Sequence, residues 1–173
     1  MKSCRVDFST FRTGGRPYII NSSNGIIKLG HGFAMNNGLD YNTIGCTQPC
    51  VFVCNPDSSI IIGNNVGISQ TTLVSRCKIK IGDNVKIGGG TYLYTTDFHS
   101  LNSAIRKTKE DSPSAKKAPI IIEDNVFIGA HVIILKGVHI GANSIVGAGS
   151  VVTKNIPPNQ IWAGNPAKFI REL

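Results

Sequence analysis

The sequence predicts an all-β fold, a coil of short parallel strands stacked along one axis. Three observations predict it. From Ile122 to Ile156 the chain repeats itself every six residues, each hexad opening on Ile or Val. The same frame occurs between Ile62 and Leu93. The chain is 41% hydrophobic but only 7% aromatic, which suits a narrow interior of Ile and Val rather than a wide one filled with rings. A period of six fits neither a helix at 3.6 nor a plain strand at 2. It fits one hexapeptide per side of a triangular prism, as in β-helix repeats.

The C-terminal run is the most regular. Its segments begin at Ile122, Ile128, Ile134, Ile140, Val146 and Val152. The opening aliphatic points into the prism, and the fifth residue is small or β-branched because it sits near a corner. Gly and Asn supply the backbone freedom that turns need. The middle run opens at Ile62 and Ile68, slips by one residue, and resumes at Ile81 and Ile87. Upstream, Ile26 to Ile44 carries a looser version punctuated by Gly30, Gly32, Gly38 and Gly45. Residues 1–60 are therefore expected to form irregular N-terminal coils of one domain that spans residues 1–173, the length prior for a chain of this size. A short helix or tail is expected over Pro166–Leu173.

Composition narrows the function classes. Lys and Arg number 18 against 10 Asp and Glu, a net charge of +8. The basic residues are not interleaved with aromatics, so no nucleic-acid partner is expected. No apolar run approaches the roughly 18 residues of a membrane helix, so no membrane insertion is expected. Met1-Lys-Ser-Cys-Arg-Val-Asp lacks the apolar region of a secretory signal. A cytoplasmic protein is the expectation, and the odd count of 5 cysteines agrees. Cys46, Cys50 and Cys54 are spaced by four. That spacing differs from zinc motifs, so they read as small buried thiols rather than metal ligands.

The frame breaks after Leu93. A polar, aperiodic stretch follows, and the repeat restarts at Ile120. A long polar loop cannot lie inside a prism, because its backbone groups would lack partners. Residues 99–119 are thus expected as an extruded loop, the kind of long insertion that usually serves function. His99 stands at its head. A neutral imidazole there could take a proton from a substrate hydroxyl, with Asp97 or a backbone carbonyl fixing its tautomer. Ser69, Gln70 and Arg76, one coil earlier, are the candidates for acceptor contacts. His131 and His139 occupy outward places of their hexads, and His31 lies among glycines.

Several stretches together resemble the hexapeptide-repeat acyltransferases, in particular the maltose, galactoside and polysaccharide O-acetyltransferase branch. They are Ile81-Gly-Asp-Asn-Val, Thr96-Asp-Phe-His99, Pro119 to Ala130, Gly147 to Pro158 and Ala163 to Arg171, in that order. The resemblance implies a left-handed parallel β-helix, a homotrimer, and acetyl-CoA as co-substrate with no metal required. It implies that His99 is the general base in a direct transfer, so that no cysteine acts as nucleophile. It further implies pantetheine contacts at the backbone of Ala130 and Ala148, and cofactor contacts at Thr153, Lys154, Lys168 and Arg171. The last two would stand one turn apart on a C-terminal helix.

This chain departs from the family at Phe127, where Trp is usual, and at Ser100, where Pro is common. Residues 1–60 lack the helical N-terminal segment that contributes acceptor contacts in the sugar acetyltransferases. The expected function is acetyl transfer to a sugar hydroxyl, on a saccharide or surface-polysaccharide precursor. Two other classes stay open. A zinc carbonic anhydrase-like β-helix would need three imidazoles around one metal, with His99, His131 and His139 as the candidates. A non-catalytic repeat scaffold would offer flat faces to a partner.

Overall fold

The computed structural model describes residues 5–173, and their strands form three sheets wound into a left-handed parallel β-helix. The first sheet stacks Val6–Phe8, Ile26–Leu29, Ser59–Ile62, Lys78–Ile81, Ile120–Ile122 and His139–Ile140. The second stacks Phe11–Gly14, Phe33–Asn36, Gly67–Ser69, Lys86–Ile87, Phe127–Ile128, Ile145–Val146 and Gln160–Ala163, and Lys168–Glu172 closes it. The third stacks Tyr18–Asn21, Val51–Cys54, Thr72–Ser75, Tyr92–Tyr94, Ile133–Ile134 and Val151–Val152. The chain visits the sheets in rotation, so every strand before Lys168–Glu172 pairs in parallel with its equivalent one turn away.

Register follows from the hexads. Ile62, Ile81, Ile122 and Ile140 stack in the first sheet. Ile68, Ile87, Ile128 and Val146 stack in the second. Leu73, Leu93, Ile134 and Val152 stack in the third. None of these twelve is more than 3% exposed. The fifth residues Val126, Val132, Val138, Ser144 and Ser150 are also buried, tucked in at the corners. Shifting one strand by a residue would turn its aliphatic outward, so the register is strongly specified.

The corner between first and second sheets has its own device. Asn65, Asn84, Asn125, Asn143 and Asn159 all adopt left-handed backbone, φ 56–63°. Each donates its side-chain Nδ2 to the Oδ1 of the next, at 3.3, 3.2, 3.1 and 2.8 Å along the series. Asn tolerates this conformation better than other residues with a Cβ, and the ladder satisfies its amides.

Residues 5–60 are more regular than the sequence suggests. Six strands form there, all in register with later coils. The expected C-terminal helix is absent. Lys168–Glu172 is a strand, antiparallel to Gln160–Ala163, with a bulge opposite Ile161 and Trp162. Gln160–Ala163 ends the parallel stack and presents unpaired backbone groups. The tail turns back to pair with them.

Replacing Ile128, which is fully buried, by Ala leaves a cavity that the rigid stack cannot collapse around. The expected loss is about 2–5 kcal/mol, read from the midpoint of denaturant unfolding.

Candidate active site

Two insertions leave the prism, at different corners. The first, residues 37–50, leaves between the second and third sheets. The second leaves between the third and first sheets. Its neck is an antiparallel bridge of Thr96 with Lys117. Asp97 N donates to Lys116 O at 3.0 Å and Ala118 N to Thr95 O at 3.1 Å. A short helix, Ser103–Arg106, lies within it, capped by the Asn102 side chain.

His99 stands just past this neck. Its Nδ1 lies 2.6 Å from Asp111 Oδ2, and the other carboxylate oxygen accepts Ser100 N at 2.7 Å. The His99 ring and the Ser100 amide hold the Asp111 carboxyl below its ordinary value. An ionised carboxylate can only accept, so the proton of this contact sits on Nδ1. That leaves the Nε2 lone pair free on a side chain 68% exposed, while Asp111 is 18% exposed. Such an imidazole can take a proton from a hydroxyl and hold it.

Asp97, the expected partner of the ring, is engaged elsewhere. Its Oδ1 pairs with Lys136 Nζ at 2.6 Å, and its backbone carbonyl accepts His99 N at 2.7 Å. It anchors the neck of the loop to the next coil. Asp111 escaped the sequence reading because it lies twelve residues along the chain from His99. The available signal was its chemistry: Glu110 and Asp111 are the only acids between 99 and 119, a stretch otherwise rich in Lys.

Of the acceptor candidates, Gln70 is fully buried. Its Nε2 donates to the carbonyls of Gly38, Asn42 and Cys46 at 3.0–3.2 Å, so it pins the first insertion instead of facing a ligand. Arg76 clasps the second insertion. Its Nη1 donates to Ser112 O and Oγ at 3.3 and 2.9 Å, and its guanidinium sits 5.9 Å from the Phe98 ring centre. With Lys117 and Asn55 it lines a pocket of about 500 Å³ beneath the loop. Ser69 accepts Asn36 Nδ2 at 3.3 Å and lines a trough of about 300 Å³ with Arg12, Lys86 and the exposed ring of Phe127.

Ala130 and Ala148 lie at the corner between second and third sheets, one above the other. An added Cβ on Gly129 would stand 2.5 Å from Ala148 N, and one on Gly88 2.5 Å from Ala130 N. A Cβ on Gly149 would meet nothing within 4 Å. This corner is thus a strip of nearly bare backbone that runs along the axis. At the C-terminal end of the prism Thr153, Lys154 and Lys168 share a pocket of about 280 Å³ with Trp162 and Phe169. Arg171 is not among the residues lining it. Arg171 stands opposite Ile161 and donates to Glu172 O at 2.9 Å. In a strand, Lys168 and Arg171 do not stand one helical turn apart. Bare backbone lets the amides of an extended ligand approach, and the pocket offers two ammonium groups to an anion.

His99 and Ala130 bracket opposite edges of the third sheet, so one chain does not bring them together. His131, beside Ala130, and His139, paired with Glu123 at 2.8 Å on the first sheet, are likewise apart from His99. No three metal-ligating side chains converge among the described residues. Cys46, Cys50 and Cys54 are buried. Desolvation pushes the Cys50 thiol up to about 11, so it stays protonated at neutral pH.

Comparison with known proteins agrees with this architecture. A family model described as the hexapeptide repeat of succinyl-transferase matches residues 75–95 and 119–154. Galactoside O-acetyltransferase of Escherichia coli is 44% identical over 117 residues, 67% of this chain and 55% of that protein. The solved structure of a maltose O-acetyltransferase from Clostridium difficile superposes with a TM-score of 0.64 at 29% identity, covering 96% of this chain and 68% of that one. A hexapeptide-repeat acetyltransferase of Vibrio cholerae, solved with acetyl coenzyme A, gives 0.62 at 27%, covering 97% and 69%. The chain spans about half the length of the curated relatives it matches.

The His99–Asp111 contact makes a testable prediction. Nitrogen-15 NMR at neutral pH should find the proton on His99 Nδ1, and Asp111→Ala should shift it toward Nε2, the usual preference of a free imidazole. Because the folded carboxyl of Asp111 is lowered, the contact contributes above the ordinary Asp range. It is lost as pH falls through the folded value.

Proposed function

Because the chain belongs to the hexapeptide-repeat acyltransferases, we propose that it transfers the acetyl group of acetyl-CoA to a sugar hydroxyl, on a saccharide or surface-polysaccharide precursor. The observation that carries this reading is the His99–Asp111 pair at the head of the extruded loop. His99 Nε2 takes the proton of the acceptor hydroxyl as that oxygen attacks the thioester carbonyl. The proton then passes to the departing thiolate sulfur, so acetyl ester and free thiol are the products. Asp111 holds the ring and offsets the imidazolium charge that forms between these steps. The buried thiols take no part.

The acetyl donor supplies an activated carbonyl, and the chain supplies its bed. Amides of the pantetheine arm lie along Ala130 and Ala148, and phosphates reach Thr153, Lys154 and Lys168. The acceptor hydroxyl must meet this carbonyl beside His99, which stands across the third sheet within one chain. A second subunit resolves the distance. The outward face of the third sheet carries Tyr18, Ile20, Val53, Val74, Tyr92, Tyr94, Ile133 and Val151 with no charged side chain. An uncharged face of this extent marks an interface. A homotrimer would bury it and set the His99 loop of one chain against the bare corner of the next. No helix among the described residues is long and apolar enough to cross a membrane. The reading puts the reaction in the cytoplasm, where acetyl-CoA is supplied.

His99→Ala should lower turnover by about 10²–10⁴-fold with the fold intact, in an assay of thiol release against a panel of sugars and sugar nucleotides. Near-normal turnover would remove His99 from its role. Light scattering should give three times 18.5 kDa; a monomer would leave no shared site. Lys154→Ala with Lys168→Ala should weaken acetyl-CoA binding about ten- to one-hundred-fold, the loss of one or two charge-assisted hydrogen bonds. Arg171→Ala should do far less. Chains carrying His99→Ala and chains carrying Ala148→Trp should each be inactive alone. Their mixed trimers should regain turnover, and no regain would place both residues in one subunit's site.

A further inference from the structure

The bare corner does not run the full length of the prism. Gly149 and Ala148 are exposed, Ala130 is half-buried, and Gly89 and Gly90, one coil higher, are buried. What covers them is the first insertion together with the His131 ring. An added Cβ on Gly89 would stand 2.8 Å from Ile44 Cγ2, and one on Gly90 would stand 2.5 Å from His131 Nδ1 and 3.1 Å from Cys46 Sγ. Cys46 Sγ also lies 3.8 Å from His131 Nε2 at the mouth of this closure. The strip is therefore open at the coil of Ala148 and sealed at the coil of Gly89.

The seal is rigid. Three carbonyls of the insertion, at Gly38, Asn42 and Cys46, accept from the one amide nitrogen of buried Gln70. Gln48 Nε2 adds contacts to Gln70 O and the Tyr92 hydroxyl, each at 3.4 Å. Ile44 rests on Gly89 through its Cγ2 and is 48% exposed, so part of its side chain stays open to a ligand.

We propose that the 38–48 insertion is the end wall of the donor groove, and that Ile44, backed by Cys46, limits the acyl group to acetyl size. The inference rests on the acetyl-CoA reading above, in which the thioester end of the donor lies beyond Ala130. From there a two-carbon acyl group stops short of Ile44, while each further methylene must push into a side chain whose backbone is pinned. A wall of this kind discriminates by about tenfold or more per methylene, since it cannot yield. Position decides the matter: an acyl chain that instead left the groove sideways would never meet the insertion.

The test needs no acceptor. Calorimetric titration of the assembled protein with CoA, acetyl-CoA and butyryl-CoA gives three dissociation constants. In the unaltered protein, acetyl-CoA should bind at least about tenfold tighter than butyryl-CoA. Ile44→Ala should bring the two within about threefold while leaving CoA itself unchanged. Gln70→Ala, which unpins the insertion without touching Ile44, should relax the preference in the same direction. Thermal melts of both variants exclude a general loss of fold. Equal binding of both thioesters by the unaltered protein, or a preference that persists in both variants, overturns the wall. No binding of CoA in any form overturns the acetyl-CoA reading, and the wall with it.

Discussion

The in-register column of aliphatics along each side of the prism is the constraint on which the rest depends. Ile, Leu and Val, joined by Phe33, Met35 and Phe52 in the N-terminal coils, fill a triangular interior so narrow that residues such as Ile79, Ile120 and Ile140 have no exposed surface at all. Nothing polar of any size can be housed there without leaving groups unpaired. Chemistry is displaced to the corners, and the three corners are used differently. One carries the Asn ladder, a purely internal network. The second carries bare backbone, capped above by an insertion. The third carries the long loop with His99. A hexapeptide side is too short to bend, so any feature larger than a turn must be inserted at a corner.

How much of this is legible in the sequence depends on how local each signal is. The prism is legible because period six is written out residue by residue, and because the slip before Ile81 leaves the phase of the next hexads intact. His99 is legible because the frame breaks beside it. Its true partner is not, since the loop must fold back before Asp111 can reach the ring. Asp97 sits two residues from His99 and looks the better partner on distance along the chain. The neck geometry instead turns its carboxylate to Lys136 on the following coil.

Gln70 and the C-terminal tail mislead for related reasons. Gln70 occupies a corner with φ 41°, and a polar residue at a corner reads as solvent-facing. It is buried only because residues 38–48 fold over it, and nothing periodic announces that fold. The tail shows Lys168 and Arg171 at helical spacing, with Pro166 just before them at a position that helix starts tolerate. What decides its conformation is absent from the local sequence: the terminal strand of a parallel stack has no next coil. The free edge of Gln160–Ala163 offers more hydrogen bonds to an antiparallel strand than a single turn of helix could make internally. The two cations then part company, Lys168 toward the pocket of Lys154 and Arg171 beyond it.

The loop that bears His99 is restrained at three levels, and the order of those restraints bears on how the site works. At the neck, Lys136 and Asp97 tie it to the coil below. In the middle, Arg76 ties Ser112 to the coil above and stacks on Phe98, whose ring meets Tyr94 edge-on at 5.3 Å. At the tip, Asp111 fixes the ring. The loop is thereby ordered before any ligand arrives, so binding need not supply the entropy of ordering it. What one chain leaves undone is desolvation, because the imidazole is still 68% exposed. A proton-accepting nitrogen in open water competes with solvent for its substrate, and its interaction with a forming imidazolium's counter-charge is weak there. The uncharged third sheet, which ends in Tyr94 just before this loop, is the surface through which a neighbouring chain can both bury itself and exclude that water. In the proposed trimer, assembly and catalysis would be one requirement, since the same contact that covers the apolar face would dry the imidazole.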